Sequence, residues 1–148
     1  MDIDALIKKV IGCAFIVHKE LGSGFLEKVY ENSMRIALEE ENLAVVQQCS
    51  VPVMFHGKIV GDYIADLMVE DRLIVELKAV QNLGKEHEVQ LVNYLTATGI
   101  DDGLLINFGP SVKIKRKFRL YRTHQDQESS NRSESIYPIS KPDLNCNL

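Results

Sequence analysis

The sequence predicts an α/β fold in which a mixed central β-sheet is flanked by helices on both faces. Apolar residues recur at helical spacing in two segments before residue 45 and again in residues 86–98, whereas the other apolar runs are strand-like. The predicted order is α, α, β, β, β, α, β, β, which suits a layered arrangement of helices and sheet. With 148 residues and 45% hydrophobic content, the chain can bury one core.

Three segments have helical periodicity, and turn or capping residues mark their ends. Asp2 or Asp4 can cap the first helix, and Gly22 predicts its end because glycine accepts backbone angles that other residues resist. Gly99 lies where a C-terminal glycine belongs after the third. The predicted helices cover residues 4–21, 25–42 and 86–98.

Five segments have the short apolar runs or the alternation typical of strands. His56 and Gly57 predict a tight turn between the first two strands. The last strand alternates apolar and basic residues. The predicted strands are Val45–Phe55, Lys58–Met68, Arg72–Val80, Leu104–Phe108 and Val112–Tyr121.

Residues 1–123 are predicted to form one domain, followed by a polar tail. Residues 124–148 are rich in Ser, Asn, Gln, Pro and Asp, which predicts a disordered or loosely docked segment. No stretch approaches the roughly 20 apolar residues that span a bilayer. The chain opens with Asp2 and Asp4 and not with a basic signal region, so a cytoplasmic protein without membrane contact is expected.

Charge is distributed unevenly along the chain. Residues 1–112 carry 9 basic and 17 acidic side chains, whereas residues 113–123 carry six basic ones, although the whole chain has a net charge of −4. Alternation places Lys113 and Lys115 on one side of the last strand. They can be an edge-strand device that discourages aggregation, or a rim that contacts phosphates. Both interpretations remain open at this point.

The segment Tyr63–Val80 carries charged residues in a predicted buried hairpin. If residues 70–72 form a three-residue loop, Val69 lies opposite Leu73 and Asp66 lies opposite Glu76. One face then carries only apolar residues and is expected to pack in a core: Ala65, Leu67, Val69, Leu73, Val75 and Leu77. The other face carries Ile64, Asp66, Met68, Ile74, Glu76 and Lys78.

Two carboxylates opposite each other on neighbouring strands lie within about 5 Å at the Cβ level. Their repulsion predicts a cation between Asp66 and Glu76, and a hard divalent ion such as Mg²⁺ or Mn²⁺ fits oxygen ligands. Lys78 lies two residues beyond Glu76, on the same face, where it can orient water or neutralise charge on a phosphate. The alternative is an ion pair between Lys78 and one acid on a solvated face.

Three short motifs resemble those of a known family. Asp66 followed by Glu76-Leu77-Lys78 resembles the D…ExK core of the PD-(D/E)XK phosphodiesterase superfamily, although Ala65 stands where a proline often precedes the first acid. The segment Gln90–Tyr94 resembles the QxxxY motif of its RecB-like branch, and Gly24–Tyr30 resembles the GxxExxY motif of a small prokaryotic family. The likeness covers roughly residues 5–120 and implies a restriction-endonuclease-like core.

The resemblance also implies roles for individual residues. Asp66 and Glu76 would be metal ligands, helped by the Leu77 carbonyl, and Lys78 would be the catalytic lysine. Glu27 would complete the positioning of metal or water. Gln90 and Tyr94 would face the site and contact substrate, although with His87 they can instead form a structural polar network.

Tyr30 shares a helix face with Glu27 and is a further candidate for substrate contact, with a core tyrosine as the alternative. Together with Lys113 and Lys115 these residues predict a Mg²⁺- or Mn²⁺-dependent nuclease that acts on DNA in preference to RNA, as an exonuclease or a structure-selective enzyme. A catalytically silent binding module and a phosphodiesterase with a non-nucleic substrate are the rivals. The oligomeric state stays open between a monomer and a homodimer, although so small a chain would often need a second copy to hold a duplex.

Overall fold

The computed structural model describes residues 1–120, and its eight helices and strands follow the predicted order. The predicted tail, residues 124–148, lies outside the described residues, so its disorder stays a prediction. The helices are α1 (Ile3–Leu21), α2 (Glu27–Glu40) and α3 (Lys85–Thr98). The strands are β1 (Val45–Phe55), β2 (Lys58–Val69), β3 (Leu73–Lys78), β4 (Asp102–Phe108) and β5 (Val112–Phe118).

Capping residues explain where α1 begins and where α1 and α3 end. The Asp2 carboxylate accepts a hydrogen bond of 2.8 Å from the Ala5 N–H, which caps α1. Gly22, with φ 79°, follows the last turn of α1. Gly99 adopts the left-handed conformation with φ 72° at the end of α3, as expected for a glycine cap. None of the helices within residues 1–120 is long and apolar enough to cross a membrane.

The five strands form one mixed sheet in the order β1-β2-β3-β4-β5. Neighbours are antiparallel except for β3 and β4, which are parallel and are joined by α3 as the crossover. β3 ends at Lys78, two residues earlier than predicted. Val80 has left the sheet, where its N–H and C=O groups bond the side-chain amide of Asn107 at 3.0 and 2.9 Å.

Both faces of the sheet are covered, which confirms the predicted α/β architecture. On one face, α1 and α2 pack on a large apolar cluster that includes Leu67, Val75 and Ile106. On the other face, α3 packs on a smaller cluster that includes Met68 and Ile74. The buried residues of α1 and α2 recur at helical spacing along one face of each helix.

The expected alternation along β2 is wrong at one position. Leu67 and Val69 pack beneath α1 and α2 as predicted. Ala65 was expected beside them, but it packs with Tyr63 in the cluster beneath α3. The reason is a local break in strand pairing at Asp66, so that the period of two does not continue through this residue.

Candidate active site

The hairpin of β2 and β3 has the predicted register next to its loop. Three residue pairs are aligned, beginning with Val69 opposite Leu73, and the pairing then ends. At the next position Asp66 and Glu76 meet. The Asp66 N–H donates to Glu76 Oε1 at 3.3 Å, and the Leu77 N–H donates to Asp66 Oδ2 at 2.8 Å. The two strands are thus held together here by carboxylates in place of a regular backbone ladder.

Strand pairing is also interrupted on the other side of Asp66, between β2 and β1. The pairing of β1 with β2 omits Gln48, which has a left-handed backbone with φ 52°. Its side-chain amide donates a long hydrogen bond of 3.5 Å to Asp66 Oδ1. Both oxygens of Asp66 therefore accept hydrogen bonds from neighbouring strands, and its carboxylate is fixed on two sides.

Burial and repulsion act together on Glu76. Desolvation by burial, followed by the negative charge of Asp66, raises the pKa of Glu76 to about 8. A hydrogen bond from the Tyr63 hydroxyl to Glu76 Oε1 opposes this shift but does not overcome it. The arrangement is a close pair of acids that favours either a proton or a cation between them.

Glu27, at the first turn of α2, interacts electrostatically with the charged residues of the hairpin. Desolvation raises the pKa of the Glu27 carboxyl, the nearby positive charge of Lys78 lowers it, and Asp66 raises it further. His87 is also close enough to lower this pKa. Charges at the beginning of α2, at the beginning of α3 and on the hairpin strands therefore act on one another.

A cleft of about 280 Å³ opens between the sheet and α3 beside these acids. Four of the predicted residues line it: Glu76, Lys78, Gln90 and Tyr94. The rest of its lining is Asp62, Tyr63, Ile64, His87, Leu91 and Leu105. Asp66 and Glu27 are not among the lining residues, so Glu76 is the one of these three acids that reaches the cleft. Residues of α3 form its wall.

Lys113 and Lys115 lie on β5, in line with the candidate site across the sheet. Strand register gives two rows that cross β3, β4 and β5: Glu76–Leu105–Lys115 and Lys78–Asn107–Lys113. Residues directly paired across a sheet point to the same face, and two strand spacings amount to roughly 10 Å. Both lysines are exposed and have no ion-pair partner within residues 1–120.

Other basic residues of this strip that lie within residues 1–120 are paired with acids. Lys117 binds Glu88 of α3 at 2.6 Å. Arg116 binds Asp4 at 2.8 Å and Asp102 at 3.3 Å. The concentrated positive charge that the sequence shows is therefore partly neutralised, and Lys113 and Lys115 remain available to a polyanion.

A family model of the PD-(D/E)XK nuclease superfamily matches residues 4–119. The chain belongs to this superfamily. The crystal structure of SSO0001 is similar in fold, with a TM-score of 0.50 and 15% identity, over 73% of this chain and 55% of that one. The chain thus spans little more than half the length of SSO0001, and at this identity the likeness concerns the fold alone. No curated protein matches the chain.

Nucleases of the PD-(D/E)XK superfamily generally use divalent metal ions. Within residues 1–120, no three His, Cys, Asp or Glu side chains form a ready cage for a metal. The oxygen donors are the two carboxylates of Asp66 and Glu76, with the Leu77 carbonyl beside them in sequence. This donor set fits a hard ion such as Mg²⁺, which keeps several waters and uses one or two carboxylates.

Tyr30 is not at the site. Its side chain is fully buried, with 0% exposure, so the expected contact with substrate does not agree with the structure. The hydroxyl donates to the Gly22 carbonyl at 2.6 Å, and the ring stacks on Phe108 with 4.6 Å between centroids. Tyr30 therefore anchors the turn that leads into Glu27, which is the core alternative that the sequence left open.

Sequence reasoning missed three residues that support the candidate site. Gln48 and Tyr63 bond the two acids directly. Glu31 is a buried carboxylate, 3% exposed, that accepts hydrogen bonds from Gln47 at 2.6 Å and from Gln48 at 2.5 Å. Of these three residues, only Tyr63 could have been identified from the sequence, because a tyrosine in a buried strand needs a partner for its hydroxyl.

Proposed function

We propose that the protein is a Mg²⁺- or Mn²⁺-dependent deoxyribonuclease that acts as an exonuclease or on a specific DNA structure. The observation that carries this proposal is the direct contact between Asp66 and Glu76 at the point where the hairpin strands separate, with Lys78 lining the adjoining cleft. Two acids and an amine that meet where β2 and β3 separate are the groups that phosphodiester hydrolysis with a metal requires.

Each residue has a proposed role that follows from its place. Asp66 and Glu76, helped by the Leu77 carbonyl, would hold the divalent ion, which when bound polarises the phosphodiester and activates water. Lys78 neutralises negative charge that develops on the phosphate. Glu27 positions the attacking water from the α2 side, a place consistent with its sensitivity to Lys78 and Asp66.

The wall of the cleft and the far strand would hold the substrate. Gln90 and Tyr94 line the cleft opposite Lys78 and would contact the phosphate or the base nearest the scissile bond. Lys113 and Lys115 would contact phosphates of the DNA strand roughly 10 Å away from Glu76 and Lys78, which is the distance across two strand spacings of the sheet. We also propose that two copies act together in the cytoplasm, since a duplex is longer than this site.

A cleavage assay tests the proposal. Purified full-length protein is incubated with end-labelled single- and double-stranded DNA and RNA, with Mg²⁺ or Mn²⁺ and with EDTA. Cleavage of DNA should require the metal, and Lys78→Ala should reduce its rate by at least about 10²-fold while circular dichroism stays unchanged. Lys8→Ala is the matched control, since Lys8 is exposed on α1. Cleavage that survives EDTA or Lys78→Ala would rule out this mechanism.

One observation favours a second candidate, a catalytically silent module that binds nucleic acid. Within residues 1–120, no third acid completes a metal cage with Asp66 and Glu76. For this candidate we expect binding of labelled DNA that depends on Lys113 and Lys115, with no cleavage under either metal. Sedimentation of the protein with and without DNA would show in addition whether two copies bind together.

A further inference from the structure

Tyr63 is a buried tyrosine whose hydroxyl is committed to one acid of the candidate site. Its side chain is 7% exposed on β2, three residues before Asp66. The hydroxyl donates to Glu76 Oε1. A buried phenol requires a partner, and a phenylalanine would fill the same space without this requirement. The hydroxyl therefore has a specific partner, and that partner is a proposed metal ligand.

The ring of Tyr63 is itself held by α3. It stacks face to face on Tyr94, with 4.0 Å between centroids and 8° between planes. Tyr94 follows Gln90 by one turn on the helix that forms the wall of the cleft. A continuous set of contacts thus runs from α3 through two stacked rings to the carboxylate of Glu76.

The two oxygens of Glu76 have different surroundings. Oε1 accepts from the Tyr63 hydroxyl and from the Asp66 N–H at 3.3 Å. Oε2 accepts no hydrogen bond from a backbone N–H, an amide or a hydroxyl of residues 1–120, and the carboxyl of Asp66 is close enough to that of Glu76 to share a proton with it. A carboxylate that is fixed through one oxygen is oriented in advance for a ligand at the other, which lowers the cost of binding.

We propose that Tyr63 is a positioning residue: it fixes the Glu76 carboxylate through Oε1 so that Oε2 is presented to a divalent cation, and the stacked ring of Tyr94 holds Tyr63 in place. This rests on the proposed function only in requiring that a divalent ion binds at Asp66 and Glu76. Partners that orient metal ligands typically contribute 10- to 100-fold to metal affinity.

The test measures metal affinity directly and does not depend on cleavage. Mn²⁺ binding to the full chain is followed by isothermal titration calorimetry and by the electron paramagnetic resonance signal of free Mn²⁺. Tyr63→Phe keeps the stacked ring and removes the hydroxyl, and it should weaken Mn²⁺ binding by about 10-fold or more. Thr98→Val is the matched control. It removes another hydroxyl of low exposure, which bonds the Tyr94 carbonyl at 2.6 Å, and should leave Mn²⁺ affinity unchanged.

A pair of substitutions at Tyr94 tests whether the Tyr94 ring holds Tyr63 in place. This pair still tests the proposal if Tyr63→Phe does not fold. Tyr94→Phe keeps the stack and should keep the wild-type Mn²⁺ affinity, whereas Tyr94→Ala should lower it by a factor similar to that of Tyr63→Phe. A merely structural stack would give Tyr94→Ala a lower melting temperature with unchanged affinity.

The outcomes separate this inference from the proposed function. Mn²⁺ affinity that is equal in wild type and Tyr63→Phe, or in Tyr94→Phe and Tyr94→Ala, overturns the inference. Absence of Mn²⁺ binding to the wild type overturns it as well. Wild-type protein that binds Mn²⁺ but cleaves no nucleic acid overturns the proposed function and leaves the role of Tyr63 standing.

Discussion

The two sides of β3 carry different kinds of residue: apolar residues of the core on one side and ionisable residues of the candidate site on the other. Beneath α1 and α2, Leu73, Val75 and Leu77 of β3 are completely buried in apolar surroundings. Beneath α3, the alternate residues Glu76 and Lys78 of the same strand are only half-buried and line a cleft. A single strand of six residues therefore serves both faces, because its side chains alternate.

Substitution of Leu73, Val75 or Leu77 should therefore change stability, whereas substitution of Glu76 or Lys78 on the other side of β3 should change binding. Packing in an apolar core contributes free energy of folding in proportion to the surface buried. Ionisable groups with shifted pKa values in a cleft are typical of functional sites, so their substitution should change ligand binding. The predictions below test this division, beginning with the largest expected effect.

Leu67→Ala should destabilise the protein by about 2–5 kcal/mol, because Leu67 is fully buried beneath α1 and α2 and its removal leaves a cavity. Urea unfolding followed by circular dichroism measures the change in the free energy of unfolding. Ile59→Ala is the control on the same strand, since Ile59 is 68% exposed, and should change stability by about 0.5 kcal/mol or less. Equal effects of the two substitutions would contradict the assignment of the core.

Glu31→Ala should lower the free energy of unfolding by about 1–3 kcal/mol. Glu31 would then be an ionisable residue that stabilises the fold, unlike Glu76 and Lys78. Its buried carboxylate accepts from Lys28 at 2.6 Å and from Gln47 and Gln48, and these donors would lose their partner. Glu39→Ala is the control, because the Glu39 side chain is 48% exposed and its ion pair with Arg35 should contribute no more than about 0.5 kcal/mol. Thermal and urea unfolding give both values, and a neutral Glu31→Ala would show that solvent replaces the network.

Divalent-ion affinity should rise with pH until about pH 8 and then level off. The pKa of Glu76 is about 8 in the folded protein and 4.5 ordinarily, so the folded protein holds a proton that the unfolded chain has lost between these values. The associated stabilisation is complete below about pH 4.5 and is lost as the pH rises through about 8. An ion must displace this proton, so affinity should increase by up to about tenfold per pH unit.

Calorimetric titration of Mn²⁺ between pH 6 and 9 measures this dependence, and urea unfolding without metal measures the opposite trend in stability. In Glu76→Gln the fall in stability with pH should become shallower, because the titrating group is gone. Metal affinity that is independent of pH in the wild type would mean that Glu76 is not a ligand.

Lys113→Ala and Lys115→Ala should each reduce DNA affinity modestly and reduce the slope of log affinity against log salt by about 1. The effect should be uniform across DNA sequences, because phosphate contacts carry no base information. Fluorescence anisotropy at several salt concentrations measures the slope, with Lys8→Ala as the control on α1. Unchanged slopes would favour the alternative in which these lysines only protect an edge strand from aggregation.

The sequence predicted the architecture well because local patterns determine it. The change from helical to strand-like periodicity gave the eight elements in order, and the length of the loop at Glu70 gave the register of the hairpin. The motifs around Asp66 and Glu76 pointed to the superfamily that the family model then showed. The GxxExxY and RecB-like assignments and the roles of single site residues stay predictions.

The remaining features depend on contacts between distant parts of the chain. Gln48 and Tyr63 reach the acids from separate positions in the sequence, and no spacing rule connects them. The burial of Tyr30 depends on Phe108, 78 residues later. Ala65 departs from simple alternation because carboxylate hydrogen bonds replace backbone pairing at Asp66. Such tertiary effects override the period of a strand.

The hydrogen bond from the Leu77 amide to Asp66 Oδ2 gives this protein a built-in spectroscopic reporter. The nitrogen of that amide lies 2.8 Å from the carboxylate oxygen, and the chemical shift of its proton follows the electron density on that oxygen. One resonance in a nitrogen–proton correlation spectrum therefore signals the arrival of an ion or an inhibitor. Ligands can be screened in this way before any substrate is known.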